Sequence, residues 1–251
     1  HKSIFLATSV TKTLDHNKFK EEIDMNYYET DPEFMERIDH FAFEEAVNEE
    51  GQQLEAPTRW LAILAALVGC QGREAYREFL PKALDDGLKP EAVKEMVYQS
   101  VDYVGMGRMW PFLDITNEIF IKRGVTLPAS GKAGAAMEER LEKGAQAQAD
   151  IFGPQMKEAW KNGHINRWLA SNCFGDYYTR TGLDLAQREM ITFCFLMAQG
   201  GCEPQLIAHA KGNMNLGNDK AFLIRVISQC LPYIGYPRSL NAVTCVNKAS
   251  E

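Results

Sequence analysis

Three features predict an all-α fold: apolar residues recur at helical spacing, period-two alternation is nowhere sustained, and glycines and prolines fall where helices start and stop. A mixed-charge segment rich in lysine and acidic residues comes first, over 1–30, and is expected to be a solvated arm or a strap over a neighbouring subunit. The apolar residues between Arg59 and Cys70 cover nearly the whole helix circumference, the mark of a buried hairpin arm. A second arm follows the glycines at 69 and 72 and ends at Gly87; it contains Pro81, which should bend it. Pro90 opens the next helix, running to Tyr103-Val-Gly105. Residues 126–135 (TLPASGKAGA) read as a linker. The chain turns helical again from Met137, with Arg140, Glu142 and Lys143 on an exposed face. A second buried arm spans Arg188 to Gln199, Gly200 and Gly201 break it, and Glu203-Pro204 starts the helix that carries His209. Gly217 ends that helix and Asp219 opens the next.

The second series repeats the first. At a shift of 130 residues Gln99 meets Gln229, Tyr103 meets Tyr233, Gly105 meets Gly235, Arg108 meets Arg238 and Gly87 meets Gly217. Upstream the shift is 129, pairing Leu54 with Leu183 and Arg59 with Arg188. A tandem duplication is expected, with repeats at 31–125 and 136–251.

Composition excludes several classes. The chain has 251 residues, 45% of them apolar and 24% charged, as in an ordinary globular protein. A net charge of −7 with no basic cluster argues against a nucleic-acid partner. The longest uncharged apolar runs, Trp60 to Cys70 and Met190 to Gly201, fall short of the roughly 20 residues that cross a bilayer. Six scattered cysteines without a C-x-x-C motif make the cytoplasm the expectation, and the mildly apolar Ser3–Val10 segment, which lacks the full pattern of a secretory signal, leaves secretion as the alternative. The five histidines have no i, i+4 partners, and phosphate loops and a nucleophile elbow are missing. No metal or other cofactor is expected.

Chemistry concentrates in the second repeat. Glu189, Cys202 and His209 place a carboxylate, a thiol and an imidazole in one helix hairpin. By helical rise, Glu189 lies roughly 15 Å before the turn and His209 roughly 9 Å after it, so a direct contact needs helix tilt and the reach of the glutamate. Each residue also has a plainer role available. His209 suits a buried, singly hydrogen-bonded histidine, Glu189 a solvated first-turn carboxylate, and Cys202 a small buried residue. The first repeat has Phe79 where the second has His209, Trp60 where it has Glu189 and roughly Arg73 where it has Cys202. It is expected to be structural, with Trp60, Phe79, Met106 and Met109 closing the pocket of the second repeat or simply packing the core.

The segments Arg140 to Gly153, Arg188-Glu-Met-Ile-Thr-Phe193, Glu203-Pro-Gln-Leu-Ile-Ala-His209, Asn213 to Gly217 and Tyr233-Ile-Gly-Tyr-Pro237 resemble, in order and spacing, the carboxymuconolactone decarboxylase family, which includes the alkylhydroperoxidase D-like proteins. The resemblance is close from 136 to 251 and weaker from 31 to 123. It implies a helical bundle of two such repeats that oligomerises through its hairpins, as a trimer of two-repeat chains. It further implies cofactor-free decarboxylation or isomerisation of a small carboxylated lactone or related metabolite. His209 would then be the acid or base, Glu189 a relay, Arg188 or Arg238 the holder of a substrate carboxylate, and Tyr233 a substrate contact. The hydroperoxidase branch uses a C-x-x-C dithiol; here Cys202 fills the first position and Gln205 the second. A thiol-dependent peroxidase using Cys202 is the first alternative, and a non-catalytic oligomeric binding protein is another.

Overall fold

The computed structural model describes residues 26–251, so most of the expected N-terminal arm lies outside the described residues. The chain divides at Arg37/Ile38. Before that boundary Asn26 caps a single helical turn, Tyr27–Thr30; a second helix, Pro32–Asp39, starts before the boundary and ends just past it.

From Ile38 onward the fold is all-α, and the described residues contain no strand. A π-helical stretch, His40–Glu45, leads into four helices: α1 (Ala56–Gly69), α2 (Arg73–Asp85), α3 (Pro90–Val104) and α4 (Met106–Lys122). An irregular segment then leads to α5 (Arg140–Phe152), three residues later than the expected start, and to a 3₁₀ segment, Pro154–Lys161. Next, α6 (His164–Trp168) runs without a break into a π-helical stretch, Leu169–Tyr178. Four helices complete the chain: α7 (Leu185–Gln199), α8 (Glu203–Asn215), α9 (Lys220–Ile234) and α10 (Tyr236–Ala249).

The sequence register reappears in the helix limits. The helices α2, α3 and α4 start 130 residues before α8, α9 and α10, and the turn glycines Gly87 and Gly217 share a φ of 94°. That left-handed value is one a residue with a side chain adopts only under strain. Both central arms are buried as the patterns predicted: every residue from Arg59 to Gly69 in α1 and from Arg188 to Ala198 in α7. These two arms pack on each other, and each also meets the other half, α1 against α9 and α7 against α3. Pro81 sits inside α2 as read, while Pro111 and Pro232 sit unannounced inside α4 and α9. Arg140 is not free on its face but holds Asp176 at 2.8 Å.

The helix α5 lies unusually close to the π-helical stretch. A Cβ on Gly144 would stand 1.8 Å from the carbonyl oxygen of Ala170 and 2.6 Å from the amide nitrogen of Gly175, both rigid backbone. Gly144→Ala therefore has to push the two elements apart. We expect a loss of about 1–3 kcal/mol or more, read as a lower urea midpoint with an unchanged slope.

Candidate functional site

The acid–base pair that the sequence only permits is formed. An Asp184–Gln187 capping box starts α7 and sets Glu189 in its first turns, facing inward and fully buried. The plainer reading of Glu189 as a solvated carboxylate is thereby corrected: α3 and α8 pack against α7, and Tyr178 covers the carboxylate. From α8, His209 presents Nδ1 to both Glu189 oxygens, at 2.9 Å to Oε2 and 3.1 Å to Oε1. A carboxylate at that distance holds the Nδ1 proton and leaves Nε2 with the free lone pair. Among the described residues Nε2 has no hydrogen-bond partner, and the His209 side chain is 12% exposed. The rings of Phe152 and Tyr103 flank the imidazole edge-on, at centroid distances of 5.3 and 5.8 Å.

Asn213, one turn beyond His209 on α8, clamps the pair. Its amide donates to the Glu189 carbonyl at 2.9 Å and the His209 carbonyl at 2.8 Å, and its oxygen accepts from Asn218 at 2.8 Å. Gly212 completes the close fit, since a Cβ there would meet Glu189 Oε2 at 2.8 Å.

The carboxylate has a further partner that no motif announced. Tyr178 donates its hydroxyl to Glu189 Oε1 at 3.0 Å, lies 2.7 Å from Thr192 Oγ1 and 2.6 Å from the Tyr103 hydroxyl. Tyr103 comes from α3, so both halves of the chain build the site. Burial pushes both phenols well up from their ordinary range and keeps them as hydroxyl donors. Cys173 stands 3.6 Å from the Tyr103 hydroxyl, its thiol raised well above the usual range by burial and then by Asp102. The Asp102 carboxyl is itself raised to about 8, chiefly by burial, despite the hydrogen bond from Cys173.

The remaining predicted residues lie elsewhere. Arg188 is fully buried and points away from His209. Its guanidinium donates at 3.0 Å to Glu95, to Gln99 and to the carbonyls of Arg180 and Thr181. Burial lowers its pKa, against the pull of Glu95, and its position makes it a bolt between α7 and α3. Cys202 caps α8, but its thiol faces the Leu196 carbonyl at 3.4 Å and burial raises its pKa, partly offset by Gln199. Arg238 lies against Gly200 at the turn before Cys202, with Nη1 buried and unpartnered. Tyr233 packs edge-on against Phe79 at 5.4 Å, its hydroxyl pushed up to about 12 by burial.

At the first-half counterpart an aromatic stack replaces the pair. Phe79 meets Trp60 at 5.8 Å and Phe43 at 5.9 Å, Arg59 covers Trp60, and the Trp60 indole donates to Asp86 at 2.6 Å. Met109 is buried, whereas Met106 is 53% exposed and closes nothing around His209. The described residues contain no cluster of three or more His, Cys, Asp or Glu side chains suited to a metal ion.

Taken together, the fold and site define an all-α bundle built around a buried carboxylate and a largely buried imidazole, an arrangement suited to moving protons. Residues 164–248 match the model of the Carboxymuconolactone decarboxylase family, and over that span, α6 to α10, the chain is similar to it. The match includes Glu189, Cys202 and His209 and stops short of α5 and of the whole first half. No curated protein matches the chain. No described helix is long and apolar enough to cross a membrane.

Proposed function

We propose that this protein is a cofactor-free lyase or isomerase acting on a small carboxylated lactone or related metabolite, with His209 as the acid or base. The carrying observation is the 2.9 Å bond from His209 Nδ1 to the buried Glu189 carboxylate, with Nε2 free to meet a substrate. In decarboxylation Nε2 first takes a proton from solvent; the carbon–carboxylate bond then breaks, carbon dioxide leaves, and the carbon that keeps the electron pair takes that proton from imidazolium Nε2. In isomerisation Nε2 removes a proton from one carbon and returns it to another. Glu189 stabilises the imidazolium in both. Because Arg188 is spent on Glu95 and Gln99, no substrate contact is assigned to it here.

The similarity over 164–248 supports a decarboxylase-like or hydroperoxidase-like activity, and the thiol geometry favours the former. Cys202 donates to a backbone carbonyl and has a raised pKa, the reverse of an activated nucleophile. The test is carbon dioxide release and solvent-deuterium incorporation over a panel of unsaturated lactone acids, beside hydroperoxide consumption. Cys202→Ser is expected to leave the first two within about two-fold of native, because a thiol held protonated adds little general-base catalysis. Hydroperoxide turnover that vanishes in Cys202→Ser would replace this reading with the peroxidase. Tight binding of a panel member without turnover would favour a binding protein.

We also propose that the chain is a tandem duplication that assembles as a trimer and works in the cytoplasm. Met106 and Tyr236, like Trp110 and Leu240, are exposed apolar residues 130 apart, as a repeated contact face would be. The six cysteines are free thiols, which agrees with a reducing compartment.

A further inference from the structure

The hydrogen bonds around Glu189 have a direction, and it can be traced to its origin. Arg188 has no acceptor, so Nη1 must donate to Gln99 Oε1, at 3.0 Å. That turns the Gln99 amide nitrogen toward the Arg188 carbonyl at 3.0 Å and Thr192 Oγ1 at 2.9 Å. Thr192 thus accepts from Gln99, and its own proton goes to the tyrosine side of the chain, where the Tyr178 oxygen lies at 2.7 Å and the Tyr103 hydroxyl is also in reach. Tyr178, accepting from Thr192, donates to Glu189 at 3.0 Å. The carboxylate can only accept, so it takes the Tyr178 proton, and the Tyr103 hydroxyl, 2.6 Å from Tyr178, stands as a second donor to the Tyr178 oxygen.

We infer that Arg188, Gln99, Thr192 and Tyr178 are positioning residues, forming one directional chain that delivers a fixed donor to Glu189 and so sets which nitrogen of His209 carries the proton. The inference deepens the acid–base reading proposed above and rests on it for its consequence in turnover. It gives the motif arginine a task other than substrate binding, and it places the origin of the chain in the first half, at Gln99 and at Glu95, which anchors Arg188 from α3. Around Glu189, α8 presents His209, the Leu169–Tyr178 stretch presents Tyr178 and Cys173, and α3 presents Tyr103 with Asp102 behind Cys173. Arg188 and Arg180 lie on the far side with Glu95.

The test is independent of substrate. In the full chain labelled with nitrogen-15 histidine, the His209 nitrogens are assigned by comparison with His209→Gln and titrated. In the neutral ring of the native protein the proton should sit on Nδ1 and Nε2 should be bare. A donor to a carboxylate favours its ionised form, so removing it raises the pH at which the Glu189–His209 pair takes up its acidic proton. In Tyr178→Phe that step should rise by about one unit or more, since a hydrogen bond to a charged group is worth about tenfold or more. The decisive variant is Gln99→Glu. It keeps the shape and the acceptor for Arg188 but replaces the donor facing Thr192 with an acceptor; Thr192 then turns its proton toward residue 99, and Tyr178 can donate to Thr192 instead of Glu189. The step should rise here too, while Thr192→Ser, which keeps the hydroxyl, should match native. A shift in Tyr178→Phe with none in Gln99→Glu, at unchanged far-ultraviolet circular dichroism, would overturn the directional chain. No shift in either would overturn the positioning role altogether. Absence of turnover with intact His209 titrations would count against the proposed reaction alone.

Discussion

His209→Ala is expected to lower carbon dioxide release by about 10²–10⁴-fold, the usual contribution of a positioned acid or base, while the protein stays folded. The folding half of this expectation follows from the location of the ring. Its inner nitrogen is bonded to Glu189, its outer edge reaches solvent, and Phe152 and Tyr103 touch it only edge-on. Glu189 keeps the Tyr178 donor after the ring is removed, and the vacated space opens outward so that water can enter. Glu189→Gln should show a smaller defect, because the amide oxygen can still accept from Nδ1 but carries no charge to favour imidazolium. The check is a kcat comparison of the three proteins on one lactone acid, with thermal unfolding alongside. Native-level turnover in His209→Ala would remove His209 from the chemistry.

Glu95→Ala is expected to have the largest effect on stability. Glu95 is fully buried and faces two arginines: Arg180, bidentate at 2.9–3.2 Å, and Arg188 at 3.0 Å. Removing the carboxylate strands the wholly buried Arg188 charge, whose Nε already lacks a partner. Breaking a buried pair in this way costs about 3–5 kcal/mol, which for a chain of this size is a fall of roughly 10 °C in Tm. Glu95→Gln should fall between, since it keeps hydrogen-bond acceptance without the charge. A loss below about 1 kcal/mol would mean that water reaches Arg188 and solvates it.

How much of this was legible in the sequence differs from element to element. The arms around Trp60–Cys70 and Met190–Gly201 announced themselves because burial on all sides leaves no polar face. Gly87 and Gly217 were legible because a positive φ selects glycine. The Glu189–His209 contact was legible only as a permitted one: residue spacing places levels along two helices, and crossing geometry decides whether side chains meet. Tyr178 gave no signal, and Tyr103 was legible only as a repeat residue matching Tyr233, not as part of this site. The two lie 75 positions apart, and Tyr178 sits in a π-helical stretch where 3.6-residue periodicity is interrupted. Arg188 was read as a ligand for substrate because a motif carries residue type but not direction. Its burial depends on α3, almost a hundred residues earlier in the chain.

The cross-packing of α1 on α9 and of α7 on α3 has a consequence for cooperativity. A domain of two self-contained halves would lose protection from hydrogen exchange in two contiguous blocks. Here the core of each half is completed by a helix of the other, and the chain joins the halves covalently only through the segment between α4 and α5. The unit that opens together is therefore not contiguous in sequence: α1 and α7, packed on each other, open with α3 and α9 as one core drawn from both halves.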